Sequence, residues 1–253
     1  MSIYSYVGLP RQGKSYNVVA EQILPALREG RRVVTNIPLN AEACAAMGSV
    51  GEIVQLDQKE LAEKPGEVIE RDMTAGSLVV LDELWRFIPQ GMTAKNVDPA
   101  WKTLFAEHGH RIDAQGRMMQ IVLVTQDLSQ VAAFARALVE RTFVVTKLEA
   151  VGASSKFRVD CYAGNVTGLK PPVSKRISES FGSYDKRVFG CYTSRTMSEA
   201  GHGGAVNEKT LDKRASGFRH PAIRFGLPIA LVLICGGLWK AYQFFFVDPA
   251  EAA

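Results

Sequence analysis

Hydrophobic and polar positions follow two rhythms along this chain. Short apolar runs of β character, each closed by a turn residue or an acid, stand at Ile3–Val7, Arg32–Asn36, Ile53–Leu56, Ser77–Asp82 and Met119–Thr125. Between the first two, Val18, Val19, Ile23, Leu24 and Leu27 recur at helical spacing from Lys14 to Arg28-Glu29-Gly30, where the glycine ends the helix. Ala41–Met47 is short and helix-prone, Pro99–Gly109 reads as a helix, and a further helix is predicted from Ser129 to about Val139. The apolar stretches within Ser77–Asp82 and Met119–Thr125 are unbroken, as in strands buried on both faces. Thr142–Lys147 and Phe157–Tyr162 read as a closing pair of strands. Strands that alternate with helices from residue 3 to 147 predict an α/β fold on a mainly parallel sheet, a domain set at residues 1–168.

The pattern breaks down beyond that point. Residues 169–224 are rich in Ser, Gly, Lys and Arg, with little apolar periodicity, and read as a basic, partly irregular extension ending in a linker that includes Ser198–Gly204. Residues 225–247, FGLPIALVLICGGLWKAYQFFFV, then carry a single charge, at Lys240. A helix of that length rises about 34 Å, enough for a hydrocarbon core of about 30 Å. A buried core helix is the competing reading, because Phe225–Trp239 is short before Lys240 interrupts it. Trp239 and Tyr242 stand where an interfacial belt would place them, and Lys240 is close enough to one end to snorkel. Lys209, Lys213, Arg214, Arg219 and Arg224 precede the segment and Asp248 and Glu251 follow it. The positive-inside bias therefore predicts a single-pass protein of the inner (cytoplasmic) membrane with its N-terminal head in the cytoplasm and residues 248–253 as a short outer tail.

Composition narrows this picture only a little. At 253 residues and 47% hydrophobic, the chain is globular rather than disordered, and a net charge of +4 is too mild to name a partner. Cys44, Cys161, Cys191 and Cys235 form no CxxC pair. They read as reduced thiols, with a Cys161–Cys191 bridge as the alternative. The N-terminus lacks the basic and apolar regions of a signal peptide, in keeping with a cytoplasmic head.

The candidate chemistry begins where the first strand ends. Gly8-Leu9-Pro10-Arg11-Gln12-Gly13-Lys14-Ser15 fits G-x-x-x-x-G-K-[ST], after a strand and opening a helix, as a phosphate-binding loop requires. The glycines let successive N–H groups converge on a phosphate, and the new helix adds its positive end. These residues, with Tyr16 next in line, are the candidate nucleotide contacts. Lys14, expected to be exposed in the empty loop, would reach the β- and γ-oxygens of ATP, and the Ser15 hydroxyl would ligate Mg²⁺. Leu78-Val79-Val80-Leu81-Asp82-Glu83 supplies the second half: Asp82 to hold Mg²⁺ through water, and Glu83 to polarise the attacking water. Gln126, after the strand Ile121–Thr125, is the candidate γ-phosphate sensor. Arg136 and Arg141 are candidates for an arginine finger toward a neighbouring subunit, with surface ion pairing as their other reading. His108-Gly109-His110 does not read as a metal site, because positions i and i+2 do not share a helix face.

In these residues the chain resembles the zonular occludens toxin (Zot) family, the filamentous-phage assembly ATPases also known as the gene I product. GLPRQGKS, RRVVTNIPL, VVLDELWRFIP and EHGHR…IVLVTQDLSQV carry the resemblance, together with one span placed after an ATPase head. Asp113–Met118 departs from it as a small insertion. The resemblance implies a membrane motor that uses ATP to extrude phage DNA while coat subunits leave the membrane. It matches Gly8, Gly13, Lys14 and Ser15 to Walker A, Asp82 and Glu83 to Walker B, and Gln126 to the polar residue after the third motif. The implied partners are further copies of the chain, in an oligomer of the kind that closes into a ring, phage coat protein and other assembly proteins, and the phage single-stranded DNA. Two other readings stand beside it: a membrane scaffold that senses nucleotide without substantial hydrolysis, and a small-molecule P-loop kinase.

Overall fold

A computed structural model describes residues 3–93, 95–153, 155–168, 171–193 and 232–243. Eight strands lie in one sheet: β1 (Ile3–Val7), β2 (Val33–Thr35), β3 (Ile53–Gln55), β4 (Leu78–Asp82), β5 (Gln120–Val124), β6 (Arg141–Lys147), β7 (Lys156–Ala163) and β8 (Arg176–Ser183). Their spatial order is β3-β2-β4-β5-β1-β6-β7-β8. The first six run parallel, and β7 and β8 close the sheet antiparallel. The α/β class, the mainly parallel sheet and the pairing of β6 with β7 match the sequence pattern, although β8 rather than β7 forms the edge.

The unbroken apolar strands face two cores at once. Val79 and Leu81 of β4, with Ile121 and Leu123 of β5, pack on one face with Leu104 and Phe105 of α6 (Pro99–Glu107). Leu78 and Val80, with Val122 and Val124, pack on the other with Val18, Ile23 and Leu27. Successive strand residues point to opposite faces, so a strand covered on both sides has no polar position to spare.

The helix after β1 runs as α1 (Lys14–Val18), a π-turn at Val19–Ile23 and α2 (Leu24–Arg28). Pro25 accounts for the widened turn: it has no N–H to give the Glu21 carbonyl, and its ring crowds that carbonyl. α3 (Ala41–Ala46) is capped by the Asn40 side chain, which accepts from Ala43 N at 3.1 Å. Two helices not foreseen from the pattern, α4 (Gln58–Glu63) and α5 (Pro65–Asp72), precede β4. Asp113–Met118 forms a tight turn in which Arg117 bonds Asp113 at 2.7 Å.

Two expectations are corrected. The helix foreseen from Ser129 to Val139 shrinks to a 3₁₀ turn at Leu128–Gln130 and the four-residue α7 (Ala133–Arg136). Between them Val131 bridges Pro89 and Ala132 N bonds Ile88 O at 3.0 Å, so pairing with a distant segment holds the chain extended. The first domain does not stop at 168 but takes in the described part of the extension, residues 171–193. Within it β8 pairs with β7, α8 (Lys186–Gly190) follows, and Thr193 N returns to Pro38 O at 2.9 Å. All of this belongs to the same compact unit as the rest of the sheet. β8 escaped the pattern because it is an exposed edge strand, with neither face buried enough to impose alternation. Cys161 and Cys191 are free, in agreement with the reading of reduced thiols: Cys191 Sγ lies 3.4 Å from Met47 Sδ, and Cys44 Sγ donates to Cys191 O at 3.8 Å.

The second compact unit is described at residues 148–153, which include a 3₁₀ turn at Leu148–Val151, and at 232–243, which are helical and exposed. The foreseen span at 225–247 therefore lies partly outside the described residues. Among the described residues, no helix is long and apolar enough to cross a membrane. The linker at 198–204 and the bases from Arg195 to Arg224 also lie outside them. Within them, Arg176 pairs with Asp160 and Glu179, and Arg187 with Asp185, so part of the basic run is already neutralised.

Hydrogen exchange tests the reassigned extension. Amides of Arg176–Ser183 that point toward β7 should be protected well above those that point outward, and uniformly fast exchange across the segment would show that β8 is not a strand.

Candidate functional site

Parallel strands place their carboxyl ends at one rim of the sheet, and the site is built there. β1 stops at Val7, and Gly8 takes φ +149, where an added Cβ would fall 2.5 Å from Val145 O. Only glycine lets the loop pass so close to β6. Gly8 N donates to Gln126 O at 3.1 Å, tying the loop to the end of β5. Leu9, Pro10 and Arg11 form the exposed crest, with Arg11 in the left-handed region at φ 63. Gly13, at φ 89, ends the loop, and its carbonyl accepts from Asn17 N at 3.0 Å and from Asn17 Nδ2 at 2.9 Å. Gln12 braces the outer side: its Oε1 accepts from Lys147 N at 2.5 Å, and its carbonyl from the Tyr184 hydroxyl at 3.3 Å.

Lys14 is not exposed. Only 8% of it is accessible, because its ammonium donates to Gly8 O at 2.9 Å and Leu9 O at 3.1 Å beneath the loop. Burial lowers its pKa, while Glu83 and, less strongly, Asp82 raise it. Ser15 is half-buried in the first turn of α1. The Tyr16 side chain turns away from the loop into an aromatic cluster, 4.8 Å from Tyr184 and 5.0 Å from Phe189 between ring centres, and its hydroxyl accepts from Asp185 N at 2.7 Å. Of the candidate contacts, Tyr16 therefore has only its backbone to offer a phosphate.

Two strands away, β4 presents Asp82 and Glu83. Burial, then the neighbouring charge of Glu83, pushes the Asp82 carboxyl up to about 6, against the opposing pull of Lys14. Glu83 leaves the strand in the left-handed region, φ 53 and ψ 47, and Trp85 Nε1 donates to its Oε2. The backbone of Asp82 is held by a residue to which no role was assigned from the sequence: the Asn36 side chain accepts from Asp82 N at 2.7 Å and donates to Asp82 O at 2.8 Å. Asn36 is 1% exposed at the end of β2. Its place in RRVVTNIPL, a polar residue closing a buried strand, was the available signal.

β5 lies between β4 and β1, so Gln126 falls at the rim between the two motifs, as foreseen. The two arginines do not join them within the chain. Arg136 ends α7, with Nη1 on Ser129 O at 3.3 Å. Arg141 is not at a helix end but opens β6, opposite Tyr4, whereas the loop leaves β1 beyond the Val7–Val144 pair. It stands toward the amino end of the parallel strands, away from the phosphate loop.

This geometry joins a phosphate loop, its lysine and an Asp-Glu pair at one rim, and residues 2–199 match the sequence profile of the zonular occludens toxin family. The chain belongs to the Zot family. Its loop, lysine and acidic pair have the arrangement of a P-loop nucleotide site. The Gene 1 protein of Xanthomonas phage phiLf is 27% identical over 201 residues, which cover 73% of this chain and 42% of that protein. The chain thus spans less than half the length of this relative. The crystal structure of the N-terminal domain of zonular occludens toxin from Neisseria meningitidis superposes with a TM-score of 0.50 at 21% identity, covering 76% of this chain and 98% of that one. At that identity the likeness speaks for the fold. The genome packaging NTPase B204 from Sulfolobus turreted icosahedral virus 2, in complex with ATP-gammaS, is more distant, with a TM-score of 0.42 at 14% identity over 68% of this chain and 98% of that one.

The raised Asp82 pKa gives a stability test with a definite sign. A carboxyl at about 6 in the folded state and about 4 unfolded favours folding when protonated, and that contribution is lost as pH rises from 4 through 6. Asp82→Asn should therefore stabilise the nucleotide-free head at pH 7.5 by about 1–3 kcal/mol, with the gain shrinking as pH falls below 6. Thermal unfolding of both proteins across that range measures it, and a gain independent of pH would mean that Asp82 is not a strained carboxylate.

Proposed function

We propose that this family member is the ATP-hydrolysing head of an inner-membrane motor that drives assembly and extrusion of filamentous phage. The observation that carries the proposal is the convergence of Lys14, Asp82 and Glu83 at one rim, with the loop amides beside them. ATP would lie with its β- and γ-phosphates against the loop. Lys14, already held beneath it, would move from the loop carbonyls to the phosphate oxygens, exchanging two neutral acceptors for charged ones. The half-buried Asp82 and Glu83 carry more negative charge than Lys14 alone balances, which suits a divalent cation. Ser15 Oγ and Asp82, through water, are the residues that would hold Mg²⁺. When bound, the ion would neutralise charge on the bridging phosphate oxygens. Glu83 would accept the proton of the attacking water, and Gln126 would report the γ-phosphate to the loop through the Gly8 N–H bond to its carbonyl.

Family membership and the phage relative support the assembly role, with phage coat protein, other assembly proteins and single-stranded DNA as the partners to test. A homo-oligomer is proposed with it, since a motor that translocates a strand must pass it between sites. The anchor is proposed at residues 225–247, supported by the single charge in that stretch and by the bases that precede it.

Phosphate release separates the motor from a nucleotide-sensing scaffold. Lys14→Ala should abolish hydrolysis and weaken ATP binding, since it removes the ammonium held beneath the loop. Glu83→Gln should bind ATP near the wild-type affinity and hydrolyse it at least about 100-fold more slowly, a loss typical of removing a proton acceptor. Equal hydrolysis by wild type and Glu83→Gln would leave only the scaffold.

The membrane proposal has its own readout. A reporter active only in the periplasm should work when fused after Ala253 and stay silent after Gly204. Silence of both fusions, with the protein in the soluble fraction, would remove the anchor.

A further inference from the structure

We infer that Trp85 is a positioning residue for hydrolysis, fixing the Glu83 carboxylate so that one oxygen is committed to the indole and the other faces the water; this rests on the ATPase reading above. The geometry starts from the backbone. Among the described residues only Arg11 and Glu83 are non-glycine positions with positive φ, and both lie in the site. At Glu83 the left-handed turn redirects the chain sharply after β4, with Glu83 N bonded to Val124 O at 2.8 Å and Arg86 N to Glu83 O at 2.9 Å. The short 3₁₀ turn Leu84–Arg86 then brings the Trp85 ring back beside residue 83, where Nε1 donates to Oε2.

The ring is itself held. Trp85 is half-buried against the core under β4, and the Arg86 guanidinium lies over it, 5.6 Å from the ring centre. A glutamate has three side-chain torsions to order, so a donor that fixes one oxygen removes freedom the water-activating step would otherwise have to overcome. An indole suits the task because its single N–H can donate but has no lone pair to accept the proton that Glu83 takes up. The hydrogen bond is made where the chain leaves β4, at the rim the phosphate loop also occupies, so it holds Glu83 at the site.

Trp85→Phe keeps the ring and removes the donor. It should lower kcat about 10- to 100-fold with KM for ATP within about twofold of wild type, because the interaction acts on the water and not on the phosphates. Combined with Glu83→Gln it should cost little more than Glu83→Gln alone, since a residue that works only through Glu83 has nothing left to position. Trp85→His, which restores an N–H, should recover part of kcat. A direct readout needs no turnover: in ¹⁵N-tryptophan-labelled protein without nucleotide, the Trp85 indole N–H resonance, assigned by its absence from Trp85→Phe, should move upfield in Glu83→Ala. Wild-type activity in Trp85→Phe, a further large loss in the double variant, or an indole resonance indifferent to Glu83→Ala would each overturn the positioning role. An inactive wild type would instead overturn the ATPase reading and the positioning role with it, whereas activity retained in Trp85→Phe leaves the ATPase reading intact.

Discussion

Three adjacent parallel strands, β4, β5 and β1, are the constraint on which the rest depends. Parallel pairing puts all three carboxyl ends at the same rim, and a strand spacing of about 4.8 Å sets the two outer ends about 10 Å apart. That span suits one lysine reaching from the loop after β1 toward carboxylates at the end of β4. β5 fills the gap between them and contributes the Gln126 carbonyl that anchors the first loop amide. Because these strands are sealed on both faces by apolar residues, none can slip in register without exposing a full row of side chains to the wrong layer. The rigidity of the rim follows from that double burial.

The charges at the rim are kept in a state the fold alone does not favour. Asp82 sits in surroundings that raise its pKa, Glu83 occupies a backbone region most residues avoid, and Lys14 leans on the carbonyls of its own loop. Confining the Asp82 carboxylate and holding Glu83 in the left-handed region both cost stability in the folded head. The supporting contacts are correspondingly dense: Asn36 grips the backbone of Asp82 at both N–H and C=O, and Gln12 is held by Lys147 N and the Tyr184 hydroxyl. Functional strain of this kind persists only where the surroundings over-determine it.

The extension beyond β7 changes how the head is understood. Rather than a solvated tether, it supplies the edge strand β8, and then an aromatic group, Tyr184 and Phe189, that packs on Tyr16 in the second residue position after the loop lysine. Phe157 of β7 completes the cluster. The loop is therefore braced from the side opposite the acids by a segment far away in sequence. A shift of β8 or α8 would be felt at Gln12 and Tyr16, which links this edge of the sheet to the phosphate loop through direct contact.

The sequence by itself determined the class of fold, the doubly buried strands and the two nucleotide motifs. Each of these is written locally: an apolar run has one way to be buried, and a loop that must wrap a phosphate needs glycine at fixed spacing. Only the tertiary structure decided what depends on a distant partner. Val131 and Ala132 were diverted from a helix by Pro89 and Ile88, β8 became a strand because β7 offered it an edge, and Asn36 acquired its role from the backbone of Asp82, 46 positions away. Lys14 was placed under its loop, and Arg141 at the amino end of the strands, by the same cause. Local pattern records the solvent a residue must avoid, whereas hydrogen-bond partners and charge neighbours are chosen only once the sheet has assembled.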